Sequence, residues 1–146
     1  MQNWTVTNQE SLNFLVDDLK ERKKPFVVEI IAGHRSVPQN RLFYLMYDII
    51  AKQLYGGDNE HARNECKLTI GVPILRRDSA KFTKTYDRLI KPANYDDKIH
   101  AMEFISVSSI FDREQGSEYI QKMFDAYADK RNVKWTELII SQVGML

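Results

Sequence analysis

Ten consecutive residues concentrate the side chains best suited to holding a nucleic acid: Arg35, Ser36, Val37, Pro38, Gln39, Asn40, Arg41, Leu42, Phe43 and Tyr44. Arg35 and Arg41 supply charge for a phosphate. Gln39 and Asn40 supply amides for phosphate oxygens or base edges, and Tyr44 supplies a ring on which a base can stack. The stretch follows an apolar run and opens a long apolar periodicity. These groups therefore gather at a helix N-terminus, where unpaired N–H groups and the helix dipole favour an anion. Two structural assignments compete with this one. Ser36 and Gln39 have the S-x-x-Q spacing of a capping box, which would use Gln39 to hold the helix start. Tyr44 could serve as packing at a subunit contact.

A second set is more regular. Arg77, Lys81, Lys84, Arg88 and Lys91 recur at helical spacing. On one helix they form a stripe opposite Phe82, Tyr86 and Leu89. At roughly 1.5 Å per residue the stripe is about 20 Å long, enough to follow several phosphates. The competing assignment is a solvated helix face. Chemistry beyond binding finds little support. His61 and Cys66 are poorly spaced for a shared helix face, and His34 and His100 are isolated. No C-x-x-C, H-E-x-x-H or P-loop pattern occurs. The pairs Asp17-Asp18 and Asp96-Asp97 are adjacent, so their carboxylates diverge on a helix. No catalytic residue, metal site or cofactor is expected.

The elements that must position these residues read as follows. Trp4-Thr5-Val6 is a short strand. Thr7 caps a helix with Glu10 completing the box, and Leu12, Leu15, Val16 and Leu19 form its apolar side. Lys23-Lys24-Pro25 ends it. Residues 26–32 are a β-branched and aromatic run that reads as a buried strand. Gly33-His34 turns the chain into a central helix from about 38 to 54, stopped by Gly56-Gly57. A helix from Asp58 to Gly71 follows, then an extended connection over 72–75. Asp78 or Ser79 caps the stripe helix, which Pro92 closes. Residues 95–104 are ambiguous: Ile99, Met102 and Ile105 suit a helix, while residues 104–107 suit a short strand. Ser109 or Asp112 begins the last long helix, with Tyr119, Ile120, Met123, Phe124 and Tyr127 inward, and an apolar tail follows. The expected fold class is α+β, mainly helical: an N-terminal β-α-β unit followed by a helical, bundle-like body, as a single domain over 1–146.

Composition sets the frame. The 146 residues are 43% hydrophobic and 28% charged, with a formal net charge of +1, so any electrostatic argument rests on local clustering. The single Cys66 excludes an intrachain disulfide and fits a reducing cytosol. No signal peptide and no membrane span are expected.

The run Pro25-Phe26-Val27-Val28, followed by Arg35-Ser36-x-x-Gln39-Asn40-Arg41-x-x-Tyr44, resembles the NinB (Orf) family of phage recombination proteins. So does the far end, where residues 106–113, a helix, and Arg131-Asn132-Val133-Lys134-Trp135 are similar to that family's closing helix and its Gly-Val-Lys-Trp element. Together these parts cover about half the chain. The resemblance implies a recombination mediator: a homodimer in the bacterial host cytosol that binds single-stranded and gapped DNA and works beside single-strand-binding protein to help load a recombinase. Carried over by position, Gln39 would contact DNA, Tyr44 would stand for a stacking tryptophan, and Arg113 would fall near the basic residue ahead of the last helix. Pro38 and Asn132 depart from the pattern, and residues 56–100 match poorly. The expected nucleic-acid-binding residues are thus Arg35, Gln39, Asn40, Arg41, Tyr44, Arg77, Lys81, Lys84, Arg88 and Arg113. The alternative function is an interaction adaptor of a phage replication or packaging complex without DNA contact, and a structure-specific nuclease stands third.

Overall fold

The computed structural model describes residues 4, 6, 8–28 and 38–146. The chain divides into two compact units, Met1–Pro38 and Gln39–Leu146.

In the first unit one helix forms, α1 (Gln9–Glu21). Asn8, not Thr7, is its cap. The Asn8 side chain accepts from Ser11 N–H at 2.8 Å, and Ser11 Oγ accepts from Asn8 N–H at 3.1 Å. Asparagine is the stronger cap of the two, which displaces the expected Thr7–Glu10 box by one residue. Thr7 itself lies outside the described residues. α1 buries none of its residues.

The expected β-α-β unit is overturned: the described residues contain no strand and no sheet. Trp4 and Val6 carry no regular structure, and neither do residues 26–28, where Val27 is 96% exposed. The physical reason is that β-branched and aromatic composition favours a pleated, half-buried surface. It makes a strand only where a neighbour takes up the N–H and C=O groups. Residues 29–32, the Gly33-His34 turn, Arg35 and Ser36 lie outside the described residues.

The second unit is helical throughout its regular structure, as the bundle-like body was expected to be. α2 (Gln39–Leu54) buries Leu42, Phe43, Met46, Tyr47, Ile50 and Ala51. Gly56 and Gly57 both take positive φ and turn the chain sharply, which glycine does without steric cost. α3 (Asn59–Cys66), capped by Asp58, runs into a π-helical turn (Lys67–Gly71) and then α4 (Val72–Asp78) without a break. The expected extended connection over 72–75 is therefore helix. In the π turn Val72 N–H donates to Lys67 O, five residues back. This wider turn precedes Pro73, whose ring would crowd a regular helix.

Ser79 is extended and caps α5 (Ala80–Leu89), its side chain accepting from Phe82 N–H. α6 (Tyr95–Ala101) resolves the ambiguous segment as helix, and residues 104–107 are not a strand. α7 (Arg113–Arg131) starts at Asp112 with a reciprocal Asp112–Gln115 capping box, and α8 (Glu137–Val143) closes the chain.

Contacts along α2 and α7 advance together. Gln39 meets Arg113 and Ser117, the Phe43 ring stands edge-on to Tyr119, Tyr47 Oη lies 2.8 Å from Tyr119 Oη, and Tyr55 Oη accepts from Arg131. The two helices are therefore parallel, with their N-termini at one end. The α3–π–α4 path runs the other way, since Glu65 meets Tyr127 and Arg131 while Arg77 meets Glu118. α5 packs Phe82, Tyr86 and Ile90 against Ile99, Met102, Ile105 and Val107 of the following segment.

Candidate nucleic-acid interface

Two of the expected residues, far apart in sequence, meet directly. Gln39 Nε2 donates to the Arg113 carbonyl at 2.9 Å and to Ser117 Oγ at 3.1 Å. Both N–H groups of the amide are thus engaged, and the carbonyl oxygen lies over Gly116. A Cβ at Gly116 would collide with Gln39 Oε1. A glycine inside a helix costs about 1 kcal/mol relative to alanine, and here it admits the amide of the neighbouring helix. Asn40, Arg41 and Tyr44 are exposed beyond this joint, and Arg113 is exposed at the first position of α7. Tyr44 is 59% exposed, with its ring edge-on to Tyr47 at 5.9 Å. Arg35 lies outside the described residues. The parallel N-termini of α2 and α7, helices of 16 and 19 residues, add their positive dipole ends to Arg41 and Arg113, while Asp112 and Glu114 offset part of that charge.

The basic stripe divides. Arg77 belongs to α4, and four of the five N–H donors of its guanidinium are engaged. Nε and Nη2 donate to both oxygens of Asp78 at 2.7 Å, and Nη1 and Nη2 donate to both oxygens of Glu118 at 2.8 Å. Hydrogen bonds from Arg77, then from Gln115, pull the Asp78 carboxyl down to about 2; those from Arg77, then from Lys122, do the same for Glu118. Asp87 on α5 pairs with Arg76 at 2.8 Å. Every acid close to the stripe in sequence is thereby neutralised by an arginine of α4. Lys81, Lys84 and Arg88 remain exposed on α5 with no ion pair among the described residues. Lys91 lies beyond the helix end. Leu89, expected inward, is 68% exposed, because Ile90 instead completes the apolar side.

The opposite end of the α2–α7 pair holds residues that sequence reasoning missed. Glu65, only 9% exposed, accepts from Tyr55 Oη at 2.6 Å, Tyr127 Oη at 2.7 Å and Arg131 Nη1 at 3.2 Å. Burial, then the bond to Glu65, pushes the Tyr55 hydroxyl up to about 12. Burial also drives the Tyr127 hydroxyl far up. Cys66 is fully buried, donates to Tyr127 Oη at 3.4 Å, and is pushed up to about 12 by burial, so it is an inert thiol. His61 faces Glu65 Oε2 at 3.9 Å and not Cys66. Among the described residues no group of three metal-ligating side chains converges. The signal for Glu65 was its place on the apolar face with Ala62 and Cys66, at helical spacing.

The closing element is structural. Asn132 has φ 56°, the left-handed conformation that ends α7 and that glycine or asparagine adopts most readily. Val133 is buried, the Lys134 backbone exchanges two hydrogen bonds with the Gln53 side chain, and Trp135 stacks on Phe124 and donates to its carbonyl. No helix among the described residues is long and apolar enough to cross a membrane.

No family model matches the chain, and neither a curated protein sequence nor a solved structure does.

Proposed function

We propose that this chain binds single-stranded and gapped DNA as a recombination mediator of phage, acting in the bacterial host cytosol beside single-strand-binding protein and a recombinase. The observation that carries the reading is the uncompensated charge of Lys81, Lys84 and Arg88 on one face of α5, where Arg76 and Arg77 have taken up the local acids. The mechanism is physical. The three cations release counterions from the backbone, Arg41 and Arg113 extend the positive end, and Tyr44 stacks a base. Gln39 acts mainly through the α2–α7 joint. Asn132, where the NinB pattern has glycine, takes the left-handed backbone that either residue adopts.

A homodimer is part of the reading. α2 covers most of its apolar circumference within the protomer, but Leu45 and Ile49 line a groove of about 440 Å³ with Leu138 and Ile139 of α8, and Leu138 and Ile140 are about half exposed. This groove is also what favours the second reading, an interaction adaptor without DNA contact. Binding of labelled single-stranded, duplex and gapped DNA across a salt series separates the two. The DNA-binding reading expects single-strand affinity that falls linearly on a log–log salt plot. Absence of binding at low salt would leave the adaptor.

A further inference from the structure

Asp87 is the one acid of α5. It stands three residues after Lys84, a spacing at which side chains meet on a helix surface. By local rules Asp87 should pair with Lys84 and take a cation out of the stripe. It turns instead to the neighbouring helix, where its Oδ1 lies 2.8 Å from Nη2 of Arg76 on α4. Arg76 is fixed in that position. Its guanidinium lies over the Tyr86 ring, 5.6 Å from the centroid, and Tyr86 is buried in the core with Ile99 and Met102. The Thr83 hydroxyl donates to the Arg76 carbonyl at 2.8 Å, which ties α4 to the side of α5 that carries Asp87. About two thirds of each side chain of the pair is covered, with Arg76 at 34% exposure and Asp87 at 35%.

Asp87 differs from the other acids beside the stripe. Asp78 also accepts from Gln115, and Glu118 also pairs with Lys122. For Asp87 no second ion pair occurs among the described residues. Loss of Arg77 therefore leaves each of its two acids with a partner. Loss of Arg76 leaves an unpaired carboxylate one helical turn from Lys84.

We infer that Arg76 is a positioning residue of the DNA-binding face: by holding Asp87 it keeps Lys84 available to a phosphate. This rests on the DNA-binding reading and gives a role to a residue that belongs neither to the stripe nor to the α2–α7 joint. A freed Asp87 acts twice. It competes with phosphate for Lys84, and it repels the strand that Lys81 and Arg88 attract.

The test titrates the whole chain as wild type, Arg76→Gln, Asp87→Asn, Arg76→Gln/Asp87→Asn, Arg76→Lys and Arg77→Ala with fluorescein-labelled oligothymidylate over a salt series, each well below its melting temperature. Arg76→Gln keeps a side-chain stem at Tyr86 and removes the charge. It is expected to bind about 2- to 5-fold more weakly at low salt, from the competing pair and the repulsion together. Its log–log salt slope should flatten by up to roughly 0.7, one phosphate contact on a single strand. Removing the acid as well, in the double variant, should restore the wild-type slope. Arg76→Lys, which keeps the charge, should hold that slope, and so should Arg77→Ala, whose acids retain Gln115 and Lys122. Asp87→Asn alone should leave the slope near wild type, because Lys84 is already available. Unchanged affinity and slope in Arg76→Gln would overturn the inference. A double variant as weak as Arg76→Gln would make Arg76 itself a contact to the strand and end the positioning role. Equal flattening in Arg77→Ala would reduce the effect to net charge and likewise overturn it. A steeper slope in Asp87→Asn alone would show that Asp87 holds Lys84 in the wild type, which sinks the inference even if Arg76→Gln fails to fold. No binding by the wild type at low salt would instead overturn the DNA-binding reading on which the inference rests.

Discussion

The two ends of the parallel α2–α7 pair are built from similar side chains and differ in what surrounds them. At the C-terminal end Tyr55 and Arg131 converge on Glu65, which also accepts from Tyr127. At the N-terminal end Arg41 and Tyr44 face solvent around a joint made by a neutral amide. A buried carboxylate turns arginine and tyrosine into a lock; its absence leaves them on the surface to meet an outside anion. The stripe repeats the lesson on a smaller scale, since Arg77 is held by two carboxylates while Lys81, Lys84 and Arg88 meet none among the described residues.

The largest expected effect lies at the locked end. Glu65→Ala takes the acceptor from the Tyr55 and Tyr127 hydroxyls and one of the bonds of the exposed Arg131, and is expected to cost about 3 kcal/mol of stability, since a hydrogen bond to a charged group contributes about 1.5–3 kcal/mol. Urea unfolding measures it, and a loss below about 1 kcal/mol would mean that the hub is ordinary surface pairing.

On the open side, replacing Lys81, Lys84 and Arg88 together by alanine should leave the melting temperature near wild type. The log–log salt slope on single strands should flatten by roughly 0.7 for each phosphate that the variant no longer engages. An unchanged slope would make α5 a plain solvated face. Arg77→Ala provides the contrast: it should change the slope little, because its guanidinium is already engaged.

Tyr44→Ala is expected to weaken single-strand binding by about 1–3 kcal/mol, while Tyr44→Phe keeps most of the affinity, because stacking uses the ring and not the hydroxyl. Duplex DNA, whose bases are already stacked, should register a smaller loss. Equal binding of every DNA form by Tyr44→Ala and the wild type would return this ring to architecture.

The joint itself gives an effect of about 1 kcal/mol whose sign depends on its partner. In the wild type Gly116→Ala must displace the Gln39 amide from its two acceptors, so the better helix propensity of alanine is offset. In a Gln39→Ala background the same change meets no amide and should stabilise. Additive effects in this double-mutant cycle would show that the close approach over Gly116 carries no energy.

The smallest effect is a dependence on pH. Asp78 and Glu118 have folded-state pKa values of about 2, below their ordinary 3.8 and 4.5. Their contribution is present above about 4.5 and is lost as pH falls toward about 2, since the unfolded chain takes up those protons first. Melting followed over that window should decline less steeply in Arg77→Ala, and equal slopes would remove the network from the acid response. Both carboxylates stay partly open to solvent, and screening keeps the effect small.

Much of the second unit was legible from local rules. α2 and its glycine stop, the Asp58, Ser79 and Asp112 starts, and the inward face of α7 follow from helical period and capping chemistry, which act within a few residues. The strands were not, because a strand is a relation between segments, and the composition of residues 26–28 cannot supply a neighbour. The helical run through Pro73 was hidden for a related reason: Gly71 reads as a helix stop, but it is packed into the core, where a Cβ would press on Val107.

The sequence by itself determined which side chains are present for binding and which stretches could carry them: Lys81, Lys84 and Arg88 share one face of any helix through that segment, because the period is a local property of the backbone. Only the tertiary structure decided which of those charges stay available. Glu118 comes to Arg77 from 41 residues away and Glu65 to Arg131 from 66, and Coulomb and hydrogen-bond energies depend on distance in space, which chain order does not specify.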